Sequence, residues 1–255
     1  MPTTKSTALF STPKQKQIIA DALFAFLRLP FAGKTVPGAI MESLLGHVRG
    51  GKVMGTYDFI DVVLKSERLG WQVKSTKSDT PVTWKRAKIP NAEKLIAASH
   101  KSATGRRALG NAIINFCNAH AQASLDDFEL DAIGYSRLVT NNDDTITYFE
   151  RVLCTRKRPL LFEPSAFVWK WSVPKKTVKK EQLQAFHGYH AKTKRKWFAW
   201  HGLGENQLHF TGESEWWPKA GSKKSKKFVV PAASLKISWE KFGEMFGANP
   251  SAELL

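Results

Sequence analysis

The chain of 255 residues has only two cysteines, Cys117 and Cys154, and no apolar run long enough to cross a bilayer. Two cysteines so placed exclude a disulfide framework and a cysteine-ligated zinc site. Cys117 lies in the apolar helical run AIINFCNAHA and is expected as a buried thiol. Acids are scarce as well. There are 22 Asp+Glu against 39 Lys+Arg, a formal net charge of +17. Such a charge opposes compaction, so an anionic partner is expected, nucleic acid ahead of an anionic membrane. The first residues, MPTTKSTALFSTPKQKQ, lack the apolar segment of a signal peptide, which gives a cytoplasmic expectation. What is present is a hydrophobic fraction of 42% with 16 Phe and 9 Trp, enough for a real core and incompatible with a disordered tail.

The charge is unevenly spread. Residues 121–150 carry seven acids and one base, Arg137, whereas residues 155–230 carry 17 Lys+Arg and five acids. The latter segment also holds six of the nine tryptophans. This divides the chain into an expected catalytic core, 1–154, and a basic, aromatic-rich DNA-binding part, 155–255, packed on the same domain.

Apolar spacing predicts a helix over 13–28, with Ile18, Ile19, Ala22, Leu23, Phe26 and Leu27 on one face, ended by Pro30. Pro37 opens a second helix, which Gly50-Gly51 close. The period then changes. YDFIDVVL (57–64), GWQVKST (70–76) and residues 81–89 read as strands. Residues 91–122 read as two helices broken near Thr104-Gly105. Strands over 131–140 and 145–154 are joined by NNDD, a turn signal. AFVWKWSV, KWFAWHG, NQLHFTG and KFVVPAASLKIS read as short strands, and 239–247 as a last helix. The fold class is α/β (α+β), with a central mixed β-sheet flanked by helices and a β-rich basic C-terminal part.

The most informative string is GTYDFIDVVLKSERLGWQVKST. Alternate strand residues share a face, so Gln72 and Lys74 point the same way. A hairpin centred between Ser66 and Glu67 sets Asp61 across from Gln72; one centred a residue later sets it across from Lys74. Asp58 falls on the opposite face. A carboxylate, an amide oxygen and a lysine at one place suit phosphodiester hydrolysis. The oxygens can ligate Mg²⁺, which polarises phosphate and acidifies water, while the lysine meets developing charge. Glu42, on the helix just upstream, can add a further carboxylate.

At these residues the chain resembles the PD-(D/E)xK nuclease superfamily, type II restriction endonucleases in particular. The resemblance lies in the helix bearing Glu42, Asp61 with Val62-Val63-Leu64, the turn, and Gln72-Val73-Lys74-Ser75-Thr76, and it covers roughly residues 37–154. It implies a prokaryotic, cytoplasmic restriction-system enzyme. Such an enzyme cuts duplex DNA with Mg²⁺, usually acts as a homodimer, and has a restriction-endonuclease-like fold. Asp61, Gln72 and Glu42 are then metal ligands and Lys74 the catalytic lysine. The sequence departs from the pattern twice. No proline precedes Asp61, and Gln72 stands where the family usually has an acid, a Q-x-K variant that some restriction enzymes use.

In the second half three basic runs can neutralise phosphates: Lys175, Lys176, Lys179 and Lys180; Lys192, Lys194, Arg195 and Lys196; Lys223, Lys224, Lys226 and Lys227. Such contacts position a duplex but carry no sequence choice. Lys194, Arg195, Asn206, Gln207 and His209 are the candidates for reading base edges. Trp197, Phe198, Trp200 and Phe210 are expected in a core. His187 and His190 form an H-x-x-H pair, but i and i+3 face opposite ways in a strand and no matching Cys or acid pattern accompanies them. Two other readings compete: a non-catalytic DNA-binding protein, and a repair-type DNA nicking nuclease of the same fold.

Overall fold

Thr12 starts the first helix with a reciprocal cap. Its hydroxyl accepts the Gln15 N–H, the Gln15 side chain accepts the Thr12 N–H, and Pro13 takes the first helical position. Helix α1 (Pro13–Arg28) buries Ile19, Leu23 and Leu27. Helix α2 (Gly38–Arg49) buries Met41 and Leu45 and ends at Gly50, whose φ of 67° is left-handed and favours glycine. The computed structural model describes residues 8–55, 59–78, 80–176, 181–182, 184–202, 205–217 and 225–245.

Strands β1 (Lys52–Val53), β2 (Val62–Leu64), β3 (Leu69–Lys77) and β4 (Val82–Arg86) follow. Next come α3 (Ala92–Lys101), α4 (Ala103–Asp127), β5 (Ala132–Thr140), β6 (Thr145–Thr155) and β7 (Phe167–Trp171). The rest is β8 (Lys175–Lys176), β9 (Glu181–Gln182), β10 (Phe186–His190), β11 (Lys196–His201), β12 (Gln207–Phe210), β13 (Ser225–Val229) and α5 (Trp239–Met245). The molecule is a mixed α+β fold with two main sheets. One runs β1-β2-β3-β5-β6-β13, the other β4-β12-β11-β10-β7, and β8-β9 form a separate pair. In the first sheet β3 and β5 are parallel and the other pairs antiparallel, so it is mixed.

That sheet is covered on both faces. On one, Ile19, Leu23, Met41 and Leu45 of α1 and α2 pack with Val62, Trp71, Val73, Leu138 and Tyr148. On the other, Leu109, Ile113 and Ile114 of α4 pack with Val63, Ile133, Tyr135 and Phe149, and the aromatic face of the second sheet joins the same cluster. Trp197, Phe198, Trp200 and Phe210 are buried there, as expected of large aromatics. Cys117 is fully buried, and desolvation pushes its thiol up to about 12, which leaves it an inert packing group. Among the described residues no helix is long and apolar enough to cross a membrane.

Several elements differ from their expected bounds. In the stretch expected as a strand over 57–64, pairing starts at Val62; Tyr57 and Asp58 lie outside the described residues. The strand expected over 81–89 is Val82–Arg86, and it joins β12 rather than the sheet of β3. The break between α3 and α4 falls at Ser102, which caps α4 through the Gly105 N–H. Gly105 instead permits a close crossing, since a Cβ there would lie 2.0 Å from the Ala98 carbonyl oxygen of α3. Strand KFVVPAASLKIS stops at Val229; the last helix is described over Trp239–Met245, and Phe246 and Gly247 lie outside the described residues. Strands also cross the 154/155 boundary in both directions: β4 pairs with β12, and β13 with β6.

Candidate active site

Three backbone and side-chain bonds fix Asp61. Its N–H donates to the Trp71 carbonyl of β3 at 2.8 Å, and its carbonyl accepts the Met54 N–H at 2.8 Å. Its carboxylate Oδ2 accepts the Val73 N–H at 2.6 Å, where a strand carbonyl would ordinarily sit. The ladder pairs Val62 with Trp71, and one residue further in the same register sets Asp61 opposite Gln72. Of the two hairpin registers open from sequence, this is the one centred between Ser66 and Glu67. The side chain thus ends the β2–β3 ladder and points its carboxylate along β3.

Lys74 follows on that strand. Its Nζ lies 3.9 Å from Asp61 Oδ2, with about a fifth of each side chain exposed. A pair so placed is partly shielded from solvent yet reachable from it. Gln72, two residues back on the same face, is 2% exposed. Its Oε1 is buried without a hydrogen-bond partner among the described residues. An orphaned buried acceptor costs about 1–3 kcal/mol, so its presence asks for a reason.

Glu42 sits beside Met41 on α2. Burial, and then the Asp61 charge, raise its carboxyl above the ordinary 4.5, while Lys74 pulls the other way. The two carboxylates and the lysine therefore feel one another. The donor set is two carboxylates and one amide oxygen. That chemistry suits Mg²⁺, which takes oxygen ligands, retains several waters and is completed by substrate phosphate rather than by an all-protein cage. The unpartnered Gln72 oxygen and the raised Glu42 carboxyl both fit such an ion. Among the described residues no three or more His, Cys, Asp or Glu side chains cluster as a metal group, so the fit depends on the amide.

Beside this row lies a buried network that sequence reasoning did not single out. Arg137 of β5 pairs with Lys74 in the ladder. Its Nε donates to Glu213 Oε1 at 2.6 Å, its Nη2 to Thr76 Oγ1 at 2.7 Å and its Nη1 to the Leu138 carbonyl at 2.6 Å. Tyr135, paired with Gln72, donates its hydroxyl to the same Glu213 oxygen. Burial and then the Glu213 charge hold the Tyr135 hydroxyl well above its usual range, so it stays a donor. The only signal in the sequence was Arg137 as the lone base of an acidic stretch. A cleft of about 420 Å³, lined by Lys77, Arg137, Glu213 and Trp217 among others, opens next to it.

The expected DNA contacts are not one surface. Lys192, Lys194 and Arg195 form an exposed turn leading into Lys196 of β11. Gln207 pairs with His201 at the far end of that strand, so the Asn206–Gln207 group sits a strand length away. Gln207 Oε1 is 3.0 Å from His209 Nε2, and burial, then His201, lower the His209 pKa. Lys175 and Lys176 form β8, and Lys179, Lys180, Lys223 and Lys224 lie outside the described residues. Lys226 and Lys227 stay at the surface, where they bond Gln17 at 2.6 Å and Asp143 at 3.1 Å. His190 stacks on Trp197 at 4.9 Å and is part of the packing.

Comparison with known protein families, with curated proteins and with solved structures finds no match.

Proposed function

We propose that the chain is a Mg²⁺-dependent, sequence-specific endonuclease that hydrolyses phosphodiester bonds of double-stranded DNA, with a restriction-endonuclease-like fold. The observation that carries this reading is the row Asp61–Gln72–Lys74: an ammonium 3.9 Å from a carboxylate, beside a buried amide oxygen that no group among the described residues uses. Asp61, Gln72 and Glu42 would hold the ion. When bound, Mg²⁺ polarises a phosphate and lowers the pKa of a water.

The protein's own part follows from its geometry. The Val73 N–H holds the Asp61 carboxylate in one orientation, so it needs no reorganisation when substrate arrives. Lys74 offers a positive charge to the phosphate oxygens as negative charge builds there. The Lys192–Lys196 turn grips the backbone, and Asn206, Gln207 and His209 are the groups suited to base edges. A homodimer, with one such row for each DNA strand, completes the proposal.

The test is digestion of a plasmid of known sequence by the purified protein with Mg²⁺, followed by mapping of the ends. Discrete fragments with constant ends support the reading. Nicked circles alone favour a nicking enzyme, and a salt-sensitive gel shift without cleavage in any divalent metal favours a non-catalytic DNA-binding protein.

A further inference from the structure

A second groove shares no residue with the row just described. It has a volume of about 530 Å³ and lies between the α3–α4 junction and β7, the edge strand of the second sheet. Its floor is aromatic. His100 stacks on Trp171 with ring centroids 4.5 Å apart and planes 12° from parallel. Trp171 is held from behind, because its Nε1 donates to Ser99 Oγ at 2.9 Å and Ser99 Oγ donates to the Ile96 carbonyl at 2.7 Å. His100 is exposed, so its outer ring face is open. The walls are cationic. Arg106, Arg107 and Lys170 line the groove, none of their side chains has a hydrogen-bond or ion-pair partner among the described residues, and no acid lines it. The Ser102 hydroxyl already takes the Gly105 N–H, so the helix end is not the attraction.

We propose that this groove binds an unpaired nucleotide of a single-stranded nucleic acid, the base stacking on His100 and the flanking phosphates pairing with Arg107, Lys170 and Arg106. Three free cations around a cleft call for an anion with spaced charges. Guanidinium forks match phosphate oxygens in two-point contacts. The open flat ring distinguishes a nucleic acid from an acidic peptide, since every base has a face to stack and Glu or Asp has none. A paired base has both faces covered by its neighbours, so only an unpaired one can use the ring. The site is independent of cleavage at Asp61 and Lys74.

The test is fluorescence anisotropy with a fluorescein-labelled oligothymidylate in EDTA across a range of salt. The wild type is expected to bind. Arg107→Ala combined with Lys170→Ala, both exposed positions, is expected to weaken binding about tenfold. It should also reduce the slope of log K against log salt by about 1.4, two contacts at about 0.7 each. His100→Ala is expected to lose about fivefold or more, and His100→Trp to restore it. Asp61→Ala is expected to bind like the wild type, so failure of the nuclease reading and failure of this one are separable. Unchanged binding and slope in the double variant would overturn the proposal, as would displacement by polyglutamate as readily as by unlabelled oligothymidylate.

Discussion

Asp61 Oδ2 accepts the Val73 backbone N–H at 2.6 Å, and the same oxygen lies 3.9 Å from Lys74 Nζ. One atom thus both ends the β2–β3 ladder and faces the candidate catalytic lysine. Function and local structure can be separated at this residue. Asp61→Asn keeps an oxygen acceptor, whereas Asp61→Ala leaves the Val73 N–H unpaired. Both variants are expected to lose DNA cleavage by on the order of 10²–10³-fold. Only the alanine variant should lose about 1–2 kcal/mol more in urea unfolding. Equal stabilities for the two would contradict the role given to the Val73 bond.

The Gln72 amide is a cost in the folded protein. Replacing it by methionine, Gln72→Met, keeps the length and removes the orphaned acceptor. The melting temperature is expected to rise, with a gain of about 1 kcal/mol, while cleavage falls. A variant that loses stability and keeps activity would show that the amide serves packing alone.

Glu42 predicts a pH effect of definite sign. Its carboxyl is raised by burial and by Asp61, so the folded state keeps this proton to higher pH than the unfolded chain does. The stability it contributes is complete below the ordinary 4.5 and is lost as pH rises through the folded value. Without metal, Glu42→Gln is therefore expected to gain on the wild type across that window in pH-dependent denaturation. Adding Mg²⁺ should favour the ionised carboxylate and shrink the difference. A difference that grows with Mg²⁺ would exclude Glu42 as a ligand.

Arg137 and Glu213 are buried together, 2% and 8% exposed in their side chains. Arg137→Met or Glu213→Leu alone leaves an uncompensated charge and is expected to cost about 3–5 kcal/mol. The two changes together should cost much less, which a double-mutant cycle in urea reads directly.

Much of the first half was legible because its signals are local. The apolar spacing over 13–28, Pro37 with Gly50-Gly51, the alternation at 70–76 and the NNDD turn each specify their own element. What failed depended on distant partners. Residues 82–86 read as a strand, but nothing near them tells that they pair with β12. The ladder over 57–64 begins only at Val62 because a side chain, Asp61, takes the bond that alternation assigns to the backbone. Gly105 reads as a break, yet it is a contact point with α3, and Ser102 is the cap. For the candidate site, spacing alone brought Asp61, Gln72 and Lys74 together. The Arg137–Glu213 pair spans two parts of the chain that pattern cannot connect, and the separation of Lys192–Lys196 from Asn206–His209 depends on which end of β11 each occupies.

The central claim is that Asp61 and Lys74 perform chemistry on a phosphodiester. Single-turnover cleavage of plasmid DNA with Mg²⁺ by the wild type, Asp61→Ala and Lys74→Ala tests it most directly. The expected result is discrete linear products from the wild type, none from either variant, and binding of the same DNA by all three in EDTA. Unchanged cutting by both variants, or a wild type that binds DNA and leaves it intact with Mg²⁺ and with Mn²⁺, would contradict the account.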